Sequence, residues 1–126
     1  MKILEFDHYN LSAPRELLES LRLFYTETVG LTVGYRPPFQ KFGYWLYAGD
    51  RPVLHLSESS QDDFVPSGLT SFNHAAFNCS GLHEFEQRLS KLGVKFTTAR
   101  SPELKRIQLF FDDPAGNGVE LNFPEE

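Results

Sequence analysis

The chain has 126 residues, with 12 basic and 17 acidic side chains and a formal net charge of -5, giving a pI of about 5.3. That balance excludes nucleic acid as a partner, because the phosphate-neutralising contribution that dominates such binding is missing. A single cysteine, Cys79, excludes an internal disulfide, and no apolar run approaches the length needed to span a membrane.

The first residues, MKILEFDHYN, turn charged and polar too early for an export signal, so the expected location is the cytoplasm. The length suits one domain able to bury most of its unfolded surface without a structural metal, so any metal is expected to serve function. One domain over 1–126 is expected, built from two modules, about 1–58 and 69–126, joined by a polar linker.

In chain order, residues 2 to 11 read as a strand with Leu4, Phe6, His8 and Asn10 on one face. Pro14 suits the first turn of a helix capped by Ser12 or Ala13. Leu17, Leu21, Phe24 and Thr28 follow helical spacing beside Leu18 and Tyr25, and Gly30 ends the run. Strands are expected at Leu31 to Tyr35, Phe42 to Tyr47 and Pro52 to Ser57, with turn chemistry in AGDRP between the last two. After the polar stretch SESSQDDFVPSG the order restarts. Leu69 to Asn78 forms a strand, Ser80 caps a helix with Leu82, Phe85, Leu89 and Leu92 on one face, and Gly93 ends it. Strands follow at Val94 to Thr98, Lys105 to Phe111 and Gly118 to Phe123.

The two halves are thus one βαβββ unit used twice, and the register agrees. His8 and His74 match in the first strands (74 - 8 = 66). Gly30 and Gly93 end the helices (93 - 30 = 63), and His55 matches Glu120 in the last strands (120 - 55 = 65). Repeated units pack to bury a shared face, so a pseudo-twofold arrangement is expected to bring His8, His55, His74 and Glu120 towards one cavity.

Glu120 interrupts the apolar strand of DDPAGNGVELNF. Val119, Leu121 and Phe123 share one face, while Gly118, Glu120 and Asn122 share the other. A carboxylate there needs solvent, a partner or a metal, and two imidazoles with one carboxylate leave coordination positions open for substrate.

These stretches resemble the vicinal oxygen chelate superfamily, which includes glyoxalase I, extradiol dioxygenases, fosfomycin resistance proteins, methylmalonyl-CoA epimerase and bleomycin resistance proteins. The similarity is carried by FDHYNL, the helix ending in VGL, FNHAAF, the helix ending in LGV, and DDPAGNGVELNF, and it covers essentially the whole chain. It implies an α+β fold in which two βαβββ modules form a curved, cup-like mixed sheet with helices outside. It also implies a metal triad of His8, His74 and Glu120, with His55 at the fourth position as ligand or as acid-base. The metal would be one divalent ion, Fe, Mn, Ni, Co or Zn.

The chain departs from its models at informative places. Bacterial glyoxalase I typically has a Glu where His55 stands, and Glu58 faces the other side of its strand. Extradiol enzymes usually carry a Tyr on the strand before the final Glu, where this chain has Gln108 and Phe110. Fosfomycin-type proteins usually carry a Thr after the first His, where this chain has Tyr9 and Asn10.

The resemblance therefore implies a lyase, isomerase or extradiol-type dioxygenase acting on a small molecule with vicinal oxygens, with His55 and Glu120 as catalytic groups. Trp45, Tyr47, Arg36 and Gln108 are the expected substrate contacts. Trp45 and Tyr47 share a strand face that suits a planar ligand, and Arg36 suits a carboxylate or anchors its loop. Arg100, Lys105 and Arg106 form the one small basic cluster, explained by a solvated strand end or by an anionic substrate. The rival function is metal-free sequestration of a small molecule, as in bleomycin resistance proteins. Many relatives are dimers whose modules pair across subunits, so a homodimer is expected.

Overall fold

The computed structural model describes residues 1–125. The chain divides into two compact units, Met1–Phe64 and Val65–Glu126, each built as strand, helix and three strands.

In the first unit, strand β1 (Tyr9–Ala13) leads into helix α1 (Arg15–Leu23). A single π-helical segment (Phe24–Val29) continues it, and strands β2 (Thr32–Gly34), β3 (Gly43–Ala48) and β4 (Arg51–Glu58) follow. The sheet order is β1-β4-β3-β2, with β1 parallel to β4 and the other neighbours antiparallel. Leu18, Leu21 and Tyr25 of the helical run are buried, as are Leu46, Leu54 and Leu56 of the sheet. This is the apolar stripe that the helical spacing required. Gly30 closes the run at φ 99°, where a Cβ would be strained.

The second unit repeats the plan with β5 (His74–Asn78), α2 (Leu82–Lys91), β6 (Thr97–Ser101), β7 (Arg106–Asp112) and β8 (Gly118–Pro124). Its sheet order is β5-β8-β7-β6, again with the first strand parallel to the last. Leu89 of α2 is buried together with Leu109, Val119, Leu121 and Phe123. The rings of Phe85 and Phe123 meet edge-on at 5.6 Å. The apolar face of β8 therefore takes the helix, which leaves Glu120 and Asn122 on the opposite face. Asp113 organises the turn before β8 by accepting hydrogen bonds from the Ala115 and Asn117 amides and from the Asn117 side chain.

The α+β class and the doubled βαβββ order are as expected; the boundaries differ in instructive places. The first strand begins at Tyr9, not at residue 2, and Ile3, Leu4 and Phe6 stand exposed, so alternation alone overestimated it. The strand expected from Leu69 begins only at His74, because residues 69 to 72 join no ladder and β propensity needs a partner strand. Strand β6 starts at Thr97, three residues later than expected. Neither expected hydroxyl cap is used. Pro14 stands at the N-cap of α1 and Gly81 at that of α2, and Leu92 remains exposed.

Candidate functional site

Both units bring the same register positions together. In the first, Asn10 pairs with His55, and His8 lies two residues before Asn10, immediately ahead of the start of β1 at Tyr9. In the second, Ala76 pairs with Glu120 and His74 lies two residues before it. A parallel pair of strands puts residues so related on one sheet face, diagonal to each other. The register arithmetic of the sequence is thus a real equivalence of position within each unit.

In the second unit His74 Nε2 lies 3.3 Å from Glu120 Oε1. His74 Nδ1 donates to Asn73 Oδ1 at 2.7 Å, so the lone pair of the neutral ring sits on Nε2 and faces the carboxylate. Two lone pairs at that separation repel unless a cation lies between them. The pair is therefore a site for a proton or a metal ion. The other oxygen, Oε2, accepts a hydrogen bond from Gln108 Nε2 at 3.1 Å. Glu120 is only 8% exposed, and Gln108 holds its orientation from the neighbouring strand. Beside His74 opens a cavity of about 710 Å³ whose lining includes Phe72, Lys95, Phe96, Thr97 and Phe110.

In the first unit the rings form a ladder. His8 stacks on His55 with centroids 3.6 Å apart, and His55 stacks on Trp45 at 4.1 Å. His8 Nδ1 donates to Asp7 Oδ2 at 2.6 Å, which leaves Nε2 as its lone-pair nitrogen. The contact holds the Asp7 carboxyl below its ordinary range, chiefly through that hydrogen bond. His55 is buried, and among the described residues its Nε2 has no hydrogen-bond partner. Burial, and next the nearby His8, lower its pKa from the ordinary 6.5, so it is held neutral.

The other expected contacts have structural employment. Trp45 gives one face to His55 and meets Phe39 at a tilt. Tyr47 donates its hydroxyl to the Tyr35 carbonyl at 2.6 Å, and its ring lies against Gly34. Arg36 donates to the Lys41 carbonyl and stands 5.0 Å over Phe39, while its Nε is buried without a partner. Gln108 contacts Glu120. Glu58 points away from this face, to Arg15.

Asp7 and Asn73, which set the two histidine tautomers, were not singled out from the sequence. The signal was there, because each is an Asx immediately before a matched histidine, and 73 - 7 = 66. Among the described residues, no group of three His, Cys, Asp or Glu lies close enough to hold a metal ion together.

The model of the Glyoxalase/Bleomycin resistance protein/Dioxygenase superfamily matches residues 6–121, a span that takes in β1 to β7, the first part of β8, and His8, His55, His74 and Glu120. The chain belongs to this superfamily. No curated protein matches it. Among solved structures, a glyoxalase family protein from Bacillus anthracis is similar at 26% identity, with a TM-score of 0.76 and coverage of 99% of this chain and 98% of that one. A lactoylglutathione lyase from Agrobacterium tumefaciens is 21% identical, with a TM-score of 0.67 and coverage of 94% and 92%. TnmS3, an antibiotic binding protein from Streptomyces sp. CB03234, is also 21% identical, with a TM-score of 0.70 and coverage of 99% of both chains. At such identities the likeness to the last two is one of glyoxalase fold. Among the described residues, no helix is long and apolar enough to cross a membrane.

Proposed function

We propose that the protein is a metal-dependent enzyme of the glyoxalase and dioxygenase type, acting on a small substrate with vicinal oxygens. The observation that carries this is the pair His74 and Glu120, an imidazole lone pair facing a carboxylate oxygen at 3.3 Å. A nitrogen and an oxygen so disposed fit a shared divalent cation. His8, prepared by Asp7 as His74 is by Asn73, is the third ligand in this reading. The ion takes His8 from the same chain or from a second copy in a homodimer. The donor set suits Fe, Mn, Ni, Co or Zn. A bound ion supplies Lewis-acid polarisation of the substrate oxygens.

The protein's own groups do the rest. An imidazole ligates in the plane of its ring, and the parallel rings of His8 and His55, 3.6 Å apart, do not both aim at one ion. That favours His55 as an acid-base over a fourth ligand. Held neutral by burial, it accepts a proton at Nε2 and returns it. Gln108 keeps one Glu120 oxygen occupied so that the other faces His74. Glyoxalase-type isomerisation or lyase chemistry and dioxygenation of a catechol-like ring both use such a set.

Reconstitution of the purified protein with each candidate ion tests the proposal. About one equivalent is expected, and it should be lost in Glu120→Ala and His74→Ala. Uptake below about a tenth of an equivalent, unchanged by these substitutions, would overturn it. Oxygen uptake with catechols under Fe(II), set against isomerisation of a glutathione hemithioacetal under Ni(II), separates the two chemistries.

A second reading, metal-free binding of a small molecule, is favoured by the His8–His55–Trp45 ladder and by the likeness to TnmS3. Trp45 is the sole tryptophan. A planar ligand that changes its fluorescence in metal-free protein, with no metal uptake, is the result that selects this reading.

A further inference from the structure

The second unit holds a smaller cavity, about 280 Å³, one step along β8 from Glu120, lined by Asn78, Asn122, Lys105 and Arg106 with Leu104 and Pro124 at its end. Asn122 is 6% exposed, and its side-chain oxygen is buried with no hydrogen-bond partner among the described residues. An orphaned buried acceptor is destabilising, so its retention asks for a donor that arrives with a ligand.

The first unit provides a control. Its equivalent strand pair is Ser12 and Ser57, since Asn78 and Asn122 pair in the second. There the polar groups satisfy one another: Ser12 bonds Ser57 at 2.7 Å, and Ser57 donates to Asn10 Oδ1 at 2.9 Å. The same register position is closed in one unit and open in the other.

Among the described residues, the charge beside the orphan is also uncommitted. Of the basic cluster, Arg100 is paired with Glu125 at 2.5 Å. Among the described residues, neither Lys105 nor Arg106 has a carboxylate within ion-pair distance. Lys105 has a left-handed backbone, φ 52°. Its carbonyl is tied to the Glu125 amide at 2.9 Å, so the turn that carries it is fixed at the cavity.

The geometry points to a subsite for the carboxylate end of a ligand whose adjacent carbon carries an O–H or N–H donor, an α-hydroxy or α-amino acid end. The carboxylate takes the Arg106 guanidinium, which offers paired donors in one plane, with Lys105 beside it. The neighbouring donor satisfies Asn122 Oδ1. Only the other end of the ligand, the vicinal oxygens reaching Glu120 about 7 Å along the strand, rests on the metal-site reading.

The test uses metal-free full-length protein and glycolate, followed by amide shifts in nuclear magnetic resonance. Glycolate is expected to shift Asn78, Lys105, Arg106 and Asn122. Acetate, which lacks the donor, should bind several-fold more weakly. Arg106→Gln should weaken glycolate roughly tenfold or more, and Asn122→Leu should erase the preference for glycolate over acetate. Because Asn122 is buried and its variant can misfold, the exposed Lys105→Gln together with Arg106→Gln decides independently. Unchanged binding in that double variant, or shifts confined to other residues, would overturn the subsite. Co(II) titration of the same sample separates the two proposals. Glycolate shifts without Co(II) binding uphold the subsite and sink the metal reading, whereas Co(II) binding without glycolate shifts does the reverse.

Discussion

Asp7 and Asn73 do the same work on two histidines: each accepts a hydrogen bond from Nδ1–H and leaves Nε2 as the basic nitrogen of the neutral ring. Such partners orient a ligand and raise its basicity, and their loss typically costs 10–100-fold in metal affinity. Asn73→Ala is therefore expected to weaken Co(II) binding by roughly that factor in a titration, while thermal stability changes little. His55 governs a different observable. Its folded pKa is lowered, chiefly by burial, so the unfolded chain binds the proton more readily. The stability this group supports is complete above the ordinary value of 6.5 and is lost as pH falls below it. The melting temperature of metal-free protein should drop between about pH 7 and about pH 5.5, and the drop should be smaller in His55→Gln. An unaltered pH slope in that variant would remove His55 from this role.

At the scale of elements, strand β8 is what the site is built on, and Gly118 shows why. A Cβ there would lie 2.5 Å from the Asn73 carbonyl and 2.9 Å from His74 Cβ. The strand carrying His74 can lie down on β8 only because position 118 has no side chain. Gly118→Ala is expected to displace Asn73 and His74 and to lower metal affinity more than it lowers the melting temperature. On the other face of β8, Leu121 is fully buried. Leu121→Ala should cost about 2–5 kcal/mol in denaturant unfolding, through lost burial and the cavity left behind. Alternation made both faces of this strand legible, because its period of two is a local property of the backbone. The same rule failed at residues 2 to 8 and 69 to 73. Those stretches alternate or are apolar enough for a strand, yet no neighbouring strand forms a ladder with them, and of residues 69 to 73 only Asn73 is tied to β8, through the Gly118 amide at 3.0 Å.

Over the whole molecule, the repeat is the organising fact, and a bound metal should act on it as a stabiliser. At about 100 times the dissociation constant, an ion that binds only the folded state adds about 2.7 kcal/mol. The melting temperature should therefore rise with added Co(II) and return to its starting value with chelator, and Glu120→Ala should show neither change. The proposed homodimer predicts twice the monomer mass in light scattering.

The sequence by itself determined the doubled βαβββ order, the matched positions of His8 with His74 and His55 with Glu120, and the split of β8 into an apolar face and a polar one. All of these follow from spacing along the chain, which local geometry turns directly into direction. Only the tertiary structure decided what each side chain touches. It gave His55 to a ring stack with His8 and Trp45, Tyr47 to the Tyr35 carbonyl, and Gln108 to Glu120. It also left Asn122 Oδ1 without a partner. Those outcomes depend on distances between strands far apart in sequence and on which polar groups are desolvated together. Spacing along one chain carries no information about either.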